Sequence, residues 1–228
     1  MNGVLVGLAL ARERLRGPGG LLALGLSCVA LFALGVLERQ SDVVNAPDDA
    51  LGGAVFGVAF PLFAYLVSER ACDGTRLDRS VDCVARYGAN RRAALLGVLL
   101  ASALCCAVCG ALLTVSALLG AHGPHSATLL SDLRASVGIA LIAGVVYALY
   151  FGAASLFGKR AAGRKWALVI DWLFGAGGSA LAAPWPRGHV RNLLGGAPVL
   201  DLTQASAWFA LALIGLACAM LSVARTAE

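Results

Sequence analysis

Charge is scarce in this 228-residue chain: Asp, Glu, Lys and Arg together make up 14% of it, against roughly 25% in an ordinary water-soluble domain. With 59% hydrophobic residues and a mean hydropathy of +0.81, the polar surface is too small to face water on every side. A soluble globular fold is therefore excluded. The chain also lacks a G-x-x-x-x-G-K-[ST] phosphate-binding loop, so it cannot hydrolyse ATP alone. It has no G-x-S-x-G, no H-E-x-x-H and no pair of carboxylates inside an apolar run, which leaves an intramembrane enzyme without its parts.

What the chain does have is long apolar runs. A membrane-spanning helix needs about 20 such residues, and six segments free of Lys and Arg meet or approach that length: 20–37, 50–68, 93–120, 135–158, 166–183 and 205–224. Runs such as Leu95-Leu96-Gly97-Val98-Leu99-Leu100 are apolar on every face, whereas barrel strands would alternate. The fold class expected is an all-α integral membrane protein with six transmembrane helices, an N-terminal interfacial helix and a cytoplasmic coupling helix, all in one domain over 1–228.

Basic residues set the orientation, because cytoplasmic loops are enriched in Lys and Arg. One side holds Arg12, Arg14, Arg16, Arg70, Arg76, Arg79, Arg86, Arg91, Arg92, Lys159, Arg160, Arg164, Lys165 and Arg225, 14 in all. The other holds only Arg39, Arg134, Arg187 and Arg191, with six acids including Asp48 and Asp132. Both termini are expected in the cytoplasm, in the inner membrane of the cell. The net charge of +5 is then a topological signal, and nucleic-acid binding is not required to explain it.

Positive charge follows the apolar run 4–11 instead of preceding it, unlike a cleaved signal peptide. Residues 1–16 read either as a helix lying on the membrane surface, broken by Gly17-Pro18-Gly19-Gly20, or as a frayed terminus. Cys105, Cys106 and Cys109 lie amid Ala, Val and Leu, where a thiol is an apolar filler, and no disulfide or metal site is expected. His122, His125 and His189 are expected in solvated loops on the outer side. Asp171 is the one ionisable residue inside a span. It is a polar partner within the bundle, a group on a water-filled path, or a carboxylate hydrated at the inner interface.

The loop after the second span carries the most specific pattern: Glu69, then Asp73-Gly74-Thr75-Arg76, then Arg79, Val81, Val84, Arg86-Tyr87-Gly88 and Arg91-Arg92. Apolar Val81, Val84 and Ala85 lie within helical spacing, which predicts a short amphipathic helix over 78–87 suited to docking a partner. Between spans five and six, 183–198 is apolar yet punctuated by prolines. It reads as a short re-entrant or interfacial helix with Trp185 as a headgroup-level anchor, or as a plain surface loop.

In this order of features the chain resembles the permease subunits of type-2 ATP-binding-cassette exporters. The layout agrees over most of the chain, and the specific residues agree between Glu69 and Gly97. The resemblance implies that the loop is a coupling helix seated in a separate ATPase subunit, with Glu69, Asp73, Gly74 and Thr75 at its start and Arg76, Arg79, Val81, Val84, Arg86 and Tyr87 on the docking surface. This loop lacks the proline that many members carry after Gly-Thr. The resemblance further implies no cofactor in this chain, with ATP and Mg in the ATPase, and a second permease copy or a related permease as partner. Gly25, Gly35, Gly52, Gly53 and Gly57 would permit close helix packing, between subunits or within one. The cargo would be amphipathic. Two other readings stand beside this one: a haem-export permease of cytochrome c maturation, similar in size and span count, and a membrane assembly scaffold without transport.

Overall fold

A computed structural model describes residues 2–42, 44–122 and 128–225, which are helical with short turns and, among the described residues, contain no strand. Helix α1 (Gly3–Leu15) starts where the Asn2 side chain accepts the Val4 N–H at 3.2 Å. It stops before Pro18, the first residue of α2 (Pro18–Ser41), where a missing N–H does no harm. Next, α3 (Ala46–Asp49), a π-helical stretch (Ala50–Ala59) and α4 (Phe60–Ala71) form one continuous apolar helix. Pro61 accounts for the wide stretch: it offers no N–H to the Gly57 carbonyl and its ring would crowd that carbonyl in a regular α-helix.

After the single turn α5 (Asp82–Ala85) come α6 (Arg91–His122), α7 (Leu129–Ala154), α8 (Ala162–Phe174), α9 (Pro186–Leu193) and α10 (Gln204–Ala224). Five helices among the described residues are long and apolar enough to cross a bilayer: α2, α3 through α4, α6, α7 and α10. The chain is a multi-pass membrane protein. Its lipid-facing character shows in exposed apolar side chains such as Leu22 and Leu26 on α2, Leu100 on α6 and Phe209 on α10, a surface untenable in water.

The segment 166–183 expected as a fifth spanning helix is not one continuous helix. Helix α8 has 13 residues, about 20 Å of rise, and ends before Gly175-Ala-Gly-Gly-Ser, a run whose backbone entropy disfavours further helix. Even so, the chain changes ends here. Ser155 lies beside Leu77 at the basic end, and Arg225, at the close of α10, covers the Phe157 ring there at 5.2 Å. Gln204, at the start of α10, lines a cavity with His122 and Asp132 at the opposite end. Residues 157–204 therefore traverse the bundle through the broken pair α8 and α9.

Helix α6 is the central post. Against it α1 and α2 cross with almost no side chain between backbones: a Cβ on Gly7 would fall 1.9 Å from the Ala94 carbonyl oxygen, and one on Gly35 2.5 Å from that of Ala117. Gly35 thus serves packing within one chain. Gly25, Gly52 and Gly53 border open space, and Gly57 lies against the Gly52 carbonyl of its own helix. Edge-to-face contacts of Phe60 with Phe56 and Tyr147, and the stacking of Tyr147 on Phe151, fill the middle of the bundle.

Candidate functional site

The basic-end loop 72–90 is stapled onto the bundle. Helix α4 closes as the Gly74 N–H bonds the Glu69 carbonyl and the Asp73 N–H that of Arg70, both at 2.9 Å. This 6→1 and 5→2 pair needs left-handed backbone, which Asp73 (φ +55°) and Gly74 (φ +65°) supply. The Thr75 hydroxyl donates to the Cys72 carbonyl at 2.6 Å, completing the turn. Above it the Glu69 carboxylate pairs with Arg164, whose side chain is fully buried and whose second nitrogen reaches the Thr75 carbonyl at 3.3 Å.

The loop then turns inward. Leu77 and Val81 are fully buried with Ala11, Ala71, Leu95 and Leu156, and the Leu77 N–H is held by the Ser155 hydroxyl at 3.1 Å. Arg14 donates to the carbonyls of Ala71 at 2.9 Å and Ser80 at 3.0 Å; Arg91 donates to the Asp78 carbonyl at 2.8 Å and pairs with Asp82 at 3.0 Å. Those bonds explain why the amphipathic helix expected over 78–87 shrinks to α5. The carbonyls of residues 78 and 80, which a continuous helix would offer to N–H groups four positions on, are taken by arginines.

Val81, read from the sequence as part of the docking surface, is a core residue, and Val84 is half-buried. Arg76 is half-buried in a two-bond pair with Asp78 at 3.0 and 3.1 Å. Asp73, Gly74, Thr75, Arg79, Arg86 and Tyr87 do face outward, Tyr87 with 93% of its surface exposed. Arg91 is turned to the loop, toward the Asp78 carbonyl and the Asp82 carboxylate. Burial pushes the Cys72 thiol above its ordinary range, while Cys83 is exposed.

Asp171 stands at a second polar cluster. The Tyr147 hydroxyl donates to its Oδ2 at 2.8 Å, and the Arg187 backbone N–H donates to its Oδ1 at 3.2 Å. Asp171 is thus a bundle partner, the first of the three readings open to it, and it caps the first turn of α9, where Pro186 leaves Arg187 as an unbonded donor. The 175–203 segment is fastened by further bonds: Arg187 to the Trp172 carbonyl at 3.0 Å, Arg191 to that of Ala176, and Asn192 to that of Leu202 at 2.8 Å. Trp185 packs edge-on to Tyr150, centroids 6.4 Å apart, and so belongs to the aromatic cluster.

Two of the three histidines are not solvated. His189 is buried and bonds the Ala183 carbonyl at 2.7 Å, and His122 pairs with Asp132 at 3.0 Å; His125 lies outside the described residues. The His122–Asp132 pair, Arg39 and Asp48 line a cavity of about 890 Å³ floored by Leu51, Leu118 and Ile139. Among the described residues no group of three or more His, Cys, Asp or Glu is placed to hold a metal ion.

Arg164 was not singled out by sequence reasoning, yet it is the hub of the basic-end site. A signal was present: Arg164, Ala167 and Asp171 share one buried face of α8 at helical spacing, while Trp166 and Leu173 face outward. Compared with protein-family models, characterised proteins and solved structures, the chain matches none.

Proposed function

We propose that this chain is the membrane-spanning permease subunit of a type-2 ATP-binding-cassette exporter, moving an amphipathic cargo with energy from a separate ATPase subunit that binds ATP and Mg. The observation that carries the reading is the loop 72–90: an outward face of Asp73, Gly74, Thr75, Arg79, Arg86 and Tyr87 on an inward face bolted to α1, α4, α6 and α8. A protein seated on that face would push on spanning helices directly, since Glu69–Arg164 ties the loop's start to both α4 and α8. A free surface loop could not transmit such a movement.

The excess of Lys and Arg at the basic end supports a reading in which this face and both termini are cytoplasmic and the membrane is the inner one. Helices α2 and α10 support pairing with a second permease, the same or related: only 11% and 22% of their apolar windows are buried.

Affinity purification in mild detergent, followed by mass spectrometry and an ATPase assay on the eluate, tests the reading. Recovery of an ATP-binding-cassette subunit with vanadate-sensitive activity, lost on changing Arg86 and Tyr87 to Ala, supports it. A chain that purifies alone, or whose ATPase is indifferent to that face, overturns it in favour of a scaffold.

A further inference from the structure

Two apolar crevices flank the corner where α1 meets α2. One, of about 620 Å³, runs between α1 and α6 past Leu5, Leu8 and Leu104, with Arg12 and Arg16 on its wall. The other, of about 150 Å³, runs between α2 and α4 past Phe63 and Val67 to Cys105 and Cys109, with Arg70 on its wall. Leu15 and Leu21 belong to both. Arg12 and Arg16 line the first crevice together with Leu104, and Arg70 lines the second together with Cys105 and Cys109, so each crevice joins a basic wall to an apolar one. The neighbouring exposed residues, Leu22 and Leu26 on α2 and Leu100 on α6, are apolar, so both crevices open toward lipid.

Three arginines, Arg12, Arg16 and Arg70, stand at the walls of the two crevices. Arg70 lies over the α2 start, where a Cβ would come within 3.2 Å of its Nη1 at Gly17 and 3.0 Å at Gly20; the glycines leave it a seat. Among the described residues Arg12 and Arg70 form no ion pair, and Arg16 pairs only with Glu13 at the surface, 2.8 Å away. No carboxylate lines either crevice.

From this juxtaposition we propose that the α1–α2 corner binds one anionic diacyl phospholipid, its phosphate held among Arg12, Arg16 and Arg70 and its two chains laid in the crevices on either side of Leu15 and Leu21. Two grooves meeting at a three-arginine lip match a molecule with one anionic head and two tails; a zwitterionic lipid would bring an ammonium group into that cationic lip. The site stands apart from the ATPase-docking face, so neither proposal depends on the other.

Native mass spectrometry of the full chain, stripped of lipid and titrated with phosphatidylglycerol or phosphatidylcholine, tests it. The wild type should retain one phosphatidylglycerol in preference to phosphatidylcholine. Changing Arg12, Arg16 and Arg70 to Ala should weaken retention on the order of a hundredfold, whereas Arg79→Ala with Arg86→Ala, which removes two arginines elsewhere at the same end, should not. Leu104→Trp, which narrows one crevice and leaves every charge in place, should also weaken it, and serves if the triple variant does not fold. Equal binding of the two lipids, equal loss in the Arg79 and Arg86 control, displacement by inorganic phosphate, or undiminished retention in the variant that folds would overturn the proposal.

Discussion

Arg164 and Glu69 are 95 positions apart in the chain and share one ion pair, Arg164 fully buried and Glu69 about a third exposed. The pair joins the end of α4 to the start of α8 and, through the Thr75 carbonyl, to the turn that opens the basic loop. One guanidinium thus fastens α8 both to the end of α4 and to the turn that follows it.

Removing one partner leaves the other charge in a place chosen for a pair. Glu69→Leu strands a buried guanidinium and should destabilise the protein by on the order of 2–3 kcal/mol, below the 3–5 of a wholly enclosed pair because water reaches Glu69. Arg164→Leu should cost a similar amount. The double variant should cost clearly less than the two singles together, measured by thermal unfolding in detergent. Strict additivity would show that the two side chains do not cooperate.

The loop cysteines provide a second test. Cys72 is buried and its thiol is pushed above the ordinary range by that burial, while Cys83 is exposed. Since the thiolate is the nucleophile, a maleimide at neutral pH should label Cys83 quickly and Cys72 slowly in a chain keeping only these two cysteines. Raising the pH should not bring Cys72 level until the loop opens, and Glu69→Leu should speed its labelling selectively. Equal rates in the unaltered loop would contradict the stapled arrangement.

Most of the helical frame was legible in the sequence, because apolar runs long enough to cross a bilayer have few other uses: 93–120 and 205–224 correspond to Arg91–His122 and Gln204–Ala224 within two residues. The π-helical stretch was not, although Pro61 sits in plain view, since the widening answers a local clash that hydropathy does not register. The broken α8 shows the reverse limit. Its Gly-rich exit reads by hydropathy as part of an apolar run, yet the glycines disfavour further helix and the Asp171 cap fixes the start of α9 beside it. At the candidate site Arg79, Arg86 and Tyr87 are exposed, while Val81, expected on the same face, is buried. Helical periodicity gives a face but not its direction, and the direction is set by Arg14 and Arg91, which are remote from the loop or beyond its end.

Val81 and Tyr87 should therefore behave oppositely. Val81→Asp puts a charge among Ala11, Leu77 and Leu95 and should unfold or loosen the loop, lowering stability by several kcal/mol and exposing 72–90 to protease. Tyr87→Ala removes a side chain that touches almost nothing and should leave the stability unchanged to within about 0.5 kcal/mol. If Tyr87→Ala nevertheless abolishes recovery of a bound ATPase, the defect lies in docking. Limited proteolysis alongside co-purification separates the two effects.

The Asp171 cap makes the last prediction, and it concerns a region the basic loop does not touch. Tyr147→Phe deletes one hydrogen bond to the carboxylate and should cost about 1 kcal/mol, with α9 still capped. Asp171→Ala removes the acceptor of both the Tyr147 hydroxyl and the Arg187 N–H, leaving two buried donors unmet and the first turn of α9 open. Its cost should be larger, on the order of 2–3 kcal/mol, and local. In hydrogen exchange the amides of residues 187–193 and the Gly-rich run before them should lose protection, while those of α2 and of α6 near Ala94 keep theirs. Asp171→Asn retains a carbonyl oxygen that one of the two donors can use, so it should fall between Tyr147→Phe and Asp171→Ala. If instead Asn proves as damaging as Ala, the negative charge and not the hydrogen-bond count holds α9 in place, with the Arg187 guanidinium, bonded to the carbonyl of Trp172 beside it, as the group it acts upon.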